Sequence, residues 1–282
     1  MSALTGDTDL EIIVAANGCT DRTAEVARSF GVRVAEIAMP SKPAALNAAD
    51  DIATGEVRVY LDADVPAGPR LIRLLAAAVA EPGIEAAVPR PVVDTSASTW
   101  PVRAYYRINA RLPVFRGRLF GRGVIAVSAR ARARFPRFPD ITADDMFLDA
   151  VVAAGEKAEI DQPVRVVAPR TGPELVRRVA RARDGNAEFR RFVEASPSGY
   201  ERTLDPVAGP SATSWLRNVV LRAPWLLPDA VVYVAVVLLA ERRRRSPSWD
   251  VRSGWGRAAA PVRVPGPRSS PENASPADLP KG

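Results

Sequence analysis

Four short groups of residues in this 282-residue chain have types and spacings that could do chemistry. Leu61-Asp62-Ala63-Asp64-Val65 puts two carboxylates one residue apart, just after an apolar run. Such a pair supplies hard oxygen ligands for a divalent cation that bridges a diphosphate, where the phosphates complete the coordination. Asn17-Gly18-Cys19-Thr20-Asp21-Arg22-Thr23 allows a sharp turn at Gly18, followed by a helix start that aims backbone N–H groups at an anion. Ser41-Lys42-Pro43-Ala44-Ala45-Leu46-Asn47 places a cation and an amide on one short helix, suited to a nucleotide or phosphate. Thr142-Ala143-Asp144-Asp145 is an acidic pair whose mutual repulsion raises one pKa and leaves a usable base. Each has an ordinary structural explanation too. These are a solvated turn, a capped strand–turn–helix junction, a surface lysine, and acids that complement a helix dipole.

Composition removes several other chemistries. The chain has one Cys and no His, so a disulfide, a Cys/His zinc site and any His-based triad are excluded. A general base must come from Asp, Glu, Lys or Tyr. The formal charge of +7 invites a nucleic-acid reading, but only three of the 39 basic residues are lysines, at 42, 157 and 281. Arginine is scattered except for the run Arg242 to Arg245, and aromatics are only 6% of the chain. A nucleic-acid module would gather charge on one face beside aromatics, so no nucleic-acid partner is expected. No basic-then-apolar leader opens the chain, which points to a cytoplasmic location.

The elements that must position these groups alternate. Short apolar strands are expected at 10–16, 32–37 and 56–61, and helices at 20–30, 42–52 and 69–80. Thr20 or Asp21 is the expected cap of the first helix, and Gly31 its stop. Further helices are read at 99–112, 144–154 and 175–192, with a strand at 121–127. This alternation predicts an α/β fold with a mostly parallel sheet and flanking helices, whose ligands bind beyond the carboxyl ends of the strands. Asn17 and Asp62 stand at such ends. Residues 230–240 are continuously apolar, preceded by Trp225 and Asp229 and followed by four arginines. That run is short for a membrane span, which needs about 20 apolar residues. A helix at a membrane surface and a buried helix both remain open. We divide the chain into a catalytic domain at 1–195, a linker and apolar helix at 196–245, and a disordered Pro/Arg-rich tail at 246–282.

The order and spacing of the four groups resemble the family-2 glycosyltransferases of GT-A fold over residues 10 to about 190. The resemblance implies a Rossmann-like sheet and an inverting transfer of a sugar from a nucleotide-diphosphate donor to an acceptor hydroxyl. It also implies a divalent metal, Mn²⁺ or Mg²⁺. Asn17, Asp21, Lys42 and Asn47 would lie near the nucleotide, and Asp62 and Asp64 would hold metal and nucleotide. Asp145, beside Asp144, would be the catalytic base. Gly121-Arg122-Gly123 falls at the acceptor-side turn, and Arg177, Arg178, Arg181 and Arg183 fall where cations face the diphosphate. The acceptor is open, with a lipid-linked or envelope glycan and a membrane surface as candidates. Ala16 stands where many members carry Asp, Ser41 replaces Gly, and Asp144 replaces Glu. The family's opening strand and helix are expected to be missing ahead of Leu10, which would expose strand edges and impair the donor pocket. Two alternatives stay open: a sugar nucleotidyltransferase, and a catalytically impaired relative acting as a membrane-associated partner.

Overall fold

A computed structural model of the chain describes residues 10–112, 115–195, 223–247 and 249. The expected linker at 196–222 and nearly all of the expected tail lie outside the described residues. The fold is α/β, with two sheets. In the first, β1 (Ile13–Asn17) pairs in parallel with β2 (Arg33–Ile37), joined by α1 (Thr23–Ser29). The second has the order β3-β5-β4-β6, built from β3 (Arg58–Leu61), β4 (Ala86–Asp94), β5 (Val124–Val127) and β6 (Lys157–Val167). Within it β5 runs against β3 and β4, while β4 and β6 are parallel, so one strand departs from an otherwise parallel set.

The helix α2 (Lys42–Ile52) ties the two sheets together. It packs on β1 and β2, while Asp50 on it accepts from the Tyr60 hydroxyl of β3 at 3.0 Å. Its start follows from local sequence. Ser41 is extended, its hydroxyl accepts from the Ala44 N–H at 3.3 Å, and Pro43 lies in the first turn. α3 (Pro69–Ala80) begins at its own proline and turns Leu71, Ile72, Leu75 and Val79 inward.

Alternation along the second sheet builds a core on each face. Ala86, Val88, Ile125 and Val127 point to one side, against Phe135, Phe138, Phe147 and the helix α6 (Asp144–Val151). Ala87, Val124 and Ala126 point to the other, against α3. Between β5 and α6 lies α5 (Ala129–Arg132), a single turn capped by the Ser128 hydroxyl. The strands β4 and β6, the longest pairing in the fold, were not expected from the sequence. Their prolines explain why, since a central strand cannot spare an N–H. Pro89 and Pro91 are two apart, so both missing donors fall on one edge of β4, and β4 meets β5 only through Ala86 and Ala87. The ladder also slips between Pro89 and Arg90, where Arg90 pairs with Pro163.

A three-helix layer completes the structure: α4 (Trp100–Asn109), α7 (Gly172–Ala195) and α8 (Leu227–Arg244). The apolar segment at 230–240 is therefore part of a helix packed against α4 and α7. The first helix starts later than expected. Arg22 occupies its cap position without a capping bond, its guanidinium binding Glu25 at 2.8 Å, while Asp21 closes a turn by accepting from the Thr23 N–H at 3.0 Å.

Candidate active site

The site forms where α2, the end of β3 and the start of α6 converge. Lys42 is the first residue of α2, and its Nζ lies 2.9 Å from Asp62 Oδ1 and 3.0 Å from Asp144 Oδ2. Two carboxylates that are 82 residues apart in sequence are thus held on one ammonium. Burial opposes the charge on Lys42, but Asp144, then Asp62, outweigh it and hold the ammonium protonated well above its usual range. Burial also pushes the Asp144 carboxyl up to about 6, with Lys42 opposing and Asp145 and Asp62 adding to the rise.

The segment Gly121-Arg122-Gly123 joins the two acidic motifs. The Gly121 N–H donates to Asp145 Oδ2 at 3.0 Å, and the Gly123 carbonyl accepts from the Asp62 N–H at 2.8 Å. Gly123 has φ +69°, and a Cβ there would stand 2.5 Å from Val65 Cγ2, so the close approach to the Asp62 turn requires glycine. Arg122 points away into the protein, to Glu159 at 2.8 Å. Asp145 lies one residue into α6 from Asp144, is half-buried, and also accepts from the Met146 N–H at 2.8 Å. One carboxylate of the pair is thus spent on Lys42, and its neighbour faces the Gly121 turn.

The remaining expected site residues divide. Asn17 Oδ1 accepts from the Ser41 N–H at 2.8 Å, which pins the loop ahead of Lys42 to the end of β1. Gly18 (φ +62°) sits against Pro40, leaving no room for a side chain. Asp21 is exposed in its turn, its carboxyl held below the usual range by the Thr23 hydroxyl and N–H. Asn47 stands on α2, five residues past Lys42. Both ends of its amide are taken by the Phe138 backbone, at 3.0 and 2.8 Å, so it braces the segment before α6. Asp64 is exposed beside Asp62.

Arg181 makes no contact with the carboxylates, but its helix is placed against them. Gly185, four residues on and so on the same face of α7, packs on Ala143, where a Cβ would stand 3.4 Å from the alanine Cβ. Glu188, further along α7, accepts from the Thr142 N–H at 2.8 Å. Arg181 is half-buried, and burial, then Arg178 and Arg177, depress its pKa. Among the described residues it has no acid partner.

Sequence reasoning missed Asp149. This fully buried acid on α6 meets Lys157 Nζ at 2.9 Å, Arg118 at 3.2 Å and the Leu119 N–H at 2.8 Å. A carboxylate inside the apolar run Met146–Val151 and one of only three lysines nearby were the available signal. No group of three or more Asp, Glu, Cys or His suited to a metal occurs among the described residues. Asp62 and Asp64 offer two hard oxygen donors, which fits a divalent cation whose other ligands come from a bound diphosphate.

This mixed α/β architecture, with carboxylates gathered at strand and helix ends around Lys42, is that of the GT-A glycosyltransferases. The family model described as Glycosyl transferase family 2 matches residues 2–139. Among solved structures, the chain is similar to glucosyl-3-phosphoglycerate synthase from Mycobacterium tuberculosis in complex with Mn²⁺, uridine-diphosphate and glucosyl-3-phosphoglycerate. That likeness has 18% identity and a TM-score of 0.51, covering 70% of this chain and 75% of that one. The same enzyme in complex with phosphoglyceric acid matches at 19% identity and a TM-score of 0.44, covering 60% of this chain and 64% of that one, just under two thirds of its length. No curated protein matches the chain.

Proposed function

We propose that the chain is an inverting glycosyltransferase, which moves a sugar from a nucleotide-diphosphate donor to an acceptor hydroxyl with Mn²⁺ or Mg²⁺ as cofactor. The observation that carries this reading is Lys42 bound between Asp62 and Asp144, with the 121–123 turn tying Asp62 to Asp145. Nucleotide-diphosphate chemistry needs cations and carboxylates in one place, and this site brings both together. In this reading Asp62 and Asp64 hold the divalent cation, which neutralises charge on the leaving diphosphate when bound.

The protein's own residues do the rest. Asn17 and Asp21 border the nucleotide, and Asn47 holds the wall behind it. Asp145 accepts the proton of the acceptor hydroxyl, whose oxygen attacks the anomeric carbon as the bond to the diphosphate breaks, inverting that centre. Lys42, held beside Asp62, supplies a cation for the phosphates. Arg181, half-buried and without an acid partner among the described residues, favours the same anion. We place the reaction in the cytoplasm. The acceptor, including a lipid-linked or envelope glycan, is open.

Calorimetric titration of UDP- and GDP-sugars with and without Mn²⁺, on the chain and on Asp62→Ala/Asp64→Ala, tests the donor site. Metal-dependent binding that the double variant loses is expected. Donor hydrolysis or transfer should then fall about 10²- to 10⁴-fold in Asp145→Asn with donor affinity retained, as for loss of a general base. Undiminished turnover in Asp145→Asn would remove that residue from the mechanism, and absence of any donor binding would favour the impaired-relative reading.

A further inference from the structure

The segment Pro224–Arg244, which contains α8, meets the length and hydropathy of a membrane span, yet only 28% of its 18-residue apolar window is buried in the protein. Its two sides differ. One side is fixed to the domain at both ends and in the middle. Asp229 is buried and takes two hydrogen bonds from Arg107 of α4, at 2.6 and 2.5 Å. Tyr233 stacks on Tyr105 with ring centroids 5.0 Å apart, and Val236 packs against Val102 and Leu175. Near the C-terminal end, Arg244 binds Asp184 of α7 at 2.5 Å, and Glu241 meets Arg183 at 3.4 Å.

The other side is open and apolar. Leu227, Val231, Val234 and Leu238 are exposed, from 37% to 65%, and their spacing of four, three and four aligns them in one stripe. Trp225, 75% exposed, stands ahead of the stripe, and Leu239, 54% exposed, beside it. Continuing the same spacing past Leu238 reaches Arg242 and then Arg245, both exposed. Leu238, Glu241, Arg242 and Arg245 line one open hollow on this side. The carboxylates of the helix are already matched, Asp229 by Arg107 and Glu241 by three arginines.

We propose that this stripe is a membrane-docking surface, with α8 lying along an anionic lipid bilayer while its inner side stays on the domain. A large exposed apolar stripe marks an interaction surface. The added cations at one end and tryptophan at the other select a bilayer over a second copy of the chain. Trp prefers the boundary between water and hydrocarbon, and arginines at the end of an apolar stripe meet lipid phosphates. A spanning helix is disfavoured by the same contacts that fix its inner side. Crossing the bilayer would carry Asp229 into hydrocarbon and strip it from Arg107. The proposal stands on α8 alone and does not depend on the glycosyl-transfer reading.

The test is co-sedimentation of the full chain with extruded vesicles, of phosphatidylcholine alone or with phosphatidylglycerol. Binding to the anionic vesicles is expected, with release by alkaline carbonate. Val231→Ser/Leu238→Ser should weaken it at least about tenfold, since burying one such side chain is worth about that factor. Both sites are over 60% exposed, so the double variant should keep its melting temperature. Arg242→Gln/Arg245→Gln should lose about fivefold per arginine on anionic vesicles and nothing on neutral ones. Three results would overturn the proposal: no vesicle binding, binding that the stripe variant leaves unchanged, and a fraction that resists carbonate. A concentration-dependent dimer abolished by Val231→Ser/Leu238→Ser, without vesicle binding, would assign the stripe to a second copy. Donor binding, read separately by calorimetry, distinguishes these failures from failure of the catalytic reading.

Discussion

The two sheets of this protein are held together by different means. In β1 and β2 the side chains are half-buried or exposed, and Ala16 is the one buried residue among their ten positions. What fixes this sheet is a set of polar brackets: Asn17 to the Ser41 N–H, Glu11 to the 54–55 backbone, Arg33 to Glu11. In the second sheet all four residues of β5 are buried, with an apolar core on each face. The residues proposed to border the nucleotide hang on the bracketed sheet, and the carboxylates proposed to do chemistry stand on the packed one. A packed core holds a catalytic group within the narrow geometry it needs. A thin, polar-braced sheet opens locally at lower cost, which suits admission and release of a donor. Lys42 joins the two halves, since it leads the helix that carries the first sheet and binds acids of the second.

The comparison predicts where substitutions hurt most. Asp149 lies at the base of α6 with no exposure, and Lys157, 3% exposed, depends on it. Asp149→Ala leaves that ammonium and the Leu119 N–H buried without a partner, and should cost about 3–5 kcal/mol, as for breaking a buried pair. Asp149→Leu/Lys157→Met should recover part of the loss, because removing both charges removes their desolvation penalty while the Leu119 N–H still lacks its acceptor. Denaturant unfolding of the three proteins measures this. If the single variant were as stable as the parent, the packed half would not be the rigid one.

Lys42 tests the joint. Its side chain is 27% exposed and Asp62 is 42% exposed, so screening reduces the effect, and Lys42→Met should destabilise by about 2 kcal/mol at neutral pH. The pH response has a definite sign. Asp144 titrates at about 6 in the folded chain against an ordinary 3.8, so the folded state holds the proton more tightly and stability falls as pH rises from about 4 to 6. Lys42 opposes that rise. Without it the fall should steepen and extend above pH 6. Melting temperature followed from pH 4 to 8 would read it, and a variant curve parallel to the parent's would mean that Lys42 does not couple the halves.

What could be read beforehand follows from the range of the interactions. α2 and α3 match their expected bounds because each opens on local chemistry, Ser41 with Pro43 and Gly68 with Pro69. The α/β class was also legible from the alternation of short apolar runs and helices, whereas the grouping of Lys42, Asp62 and Asp144-Asp145 was implied only by the resemblance of their order and spacing to a family. The strands β4 and β6 were not, because prolines mask a strand whose donors are missing on an unpaired edge. Nor was the use of Asn47, whose partner Phe138 is 91 residues away. An amide reads the same in sequence whether it serves a ligand or a backbone. Residue type announces chemistry, and only packing decides whether that chemistry is already spent.

The smallest expected effect tests the bracketed sheet itself. Glu11 accepts from the Thr54 N–H at 2.7 Å and the Gly55 N–H at 3.1 Å, and binds Arg33 at 2.6 Å. The Thr54 N–H is the main cause that holds its carboxyl at about 2, against an ordinary 4.5, with Gly55 and Arg33 adding and burial opposing. A depressed carboxylate stabilises the fold fully above its ordinary pKa and loses that contribution as pH falls toward its folded value. The stabilisation is thus present above about pH 4.5 and fades toward 2. Because the side chain is solvent-accessible, screening holds it to about 1 kcal/mol or less. Glu11→Gln should lower the melting temperature by about 2–4 °C at pH 7 and by less at pH 3, where the parent has begun to lose the same charge. Equal losses at both pH values would mean that hydrogen bonding alone, without the charge, braces β1 against the end of α2. A loss as large as that of Asp149→Ala would break the contrast between the sheets, because it would make one exposed bracket as costly as a buried core.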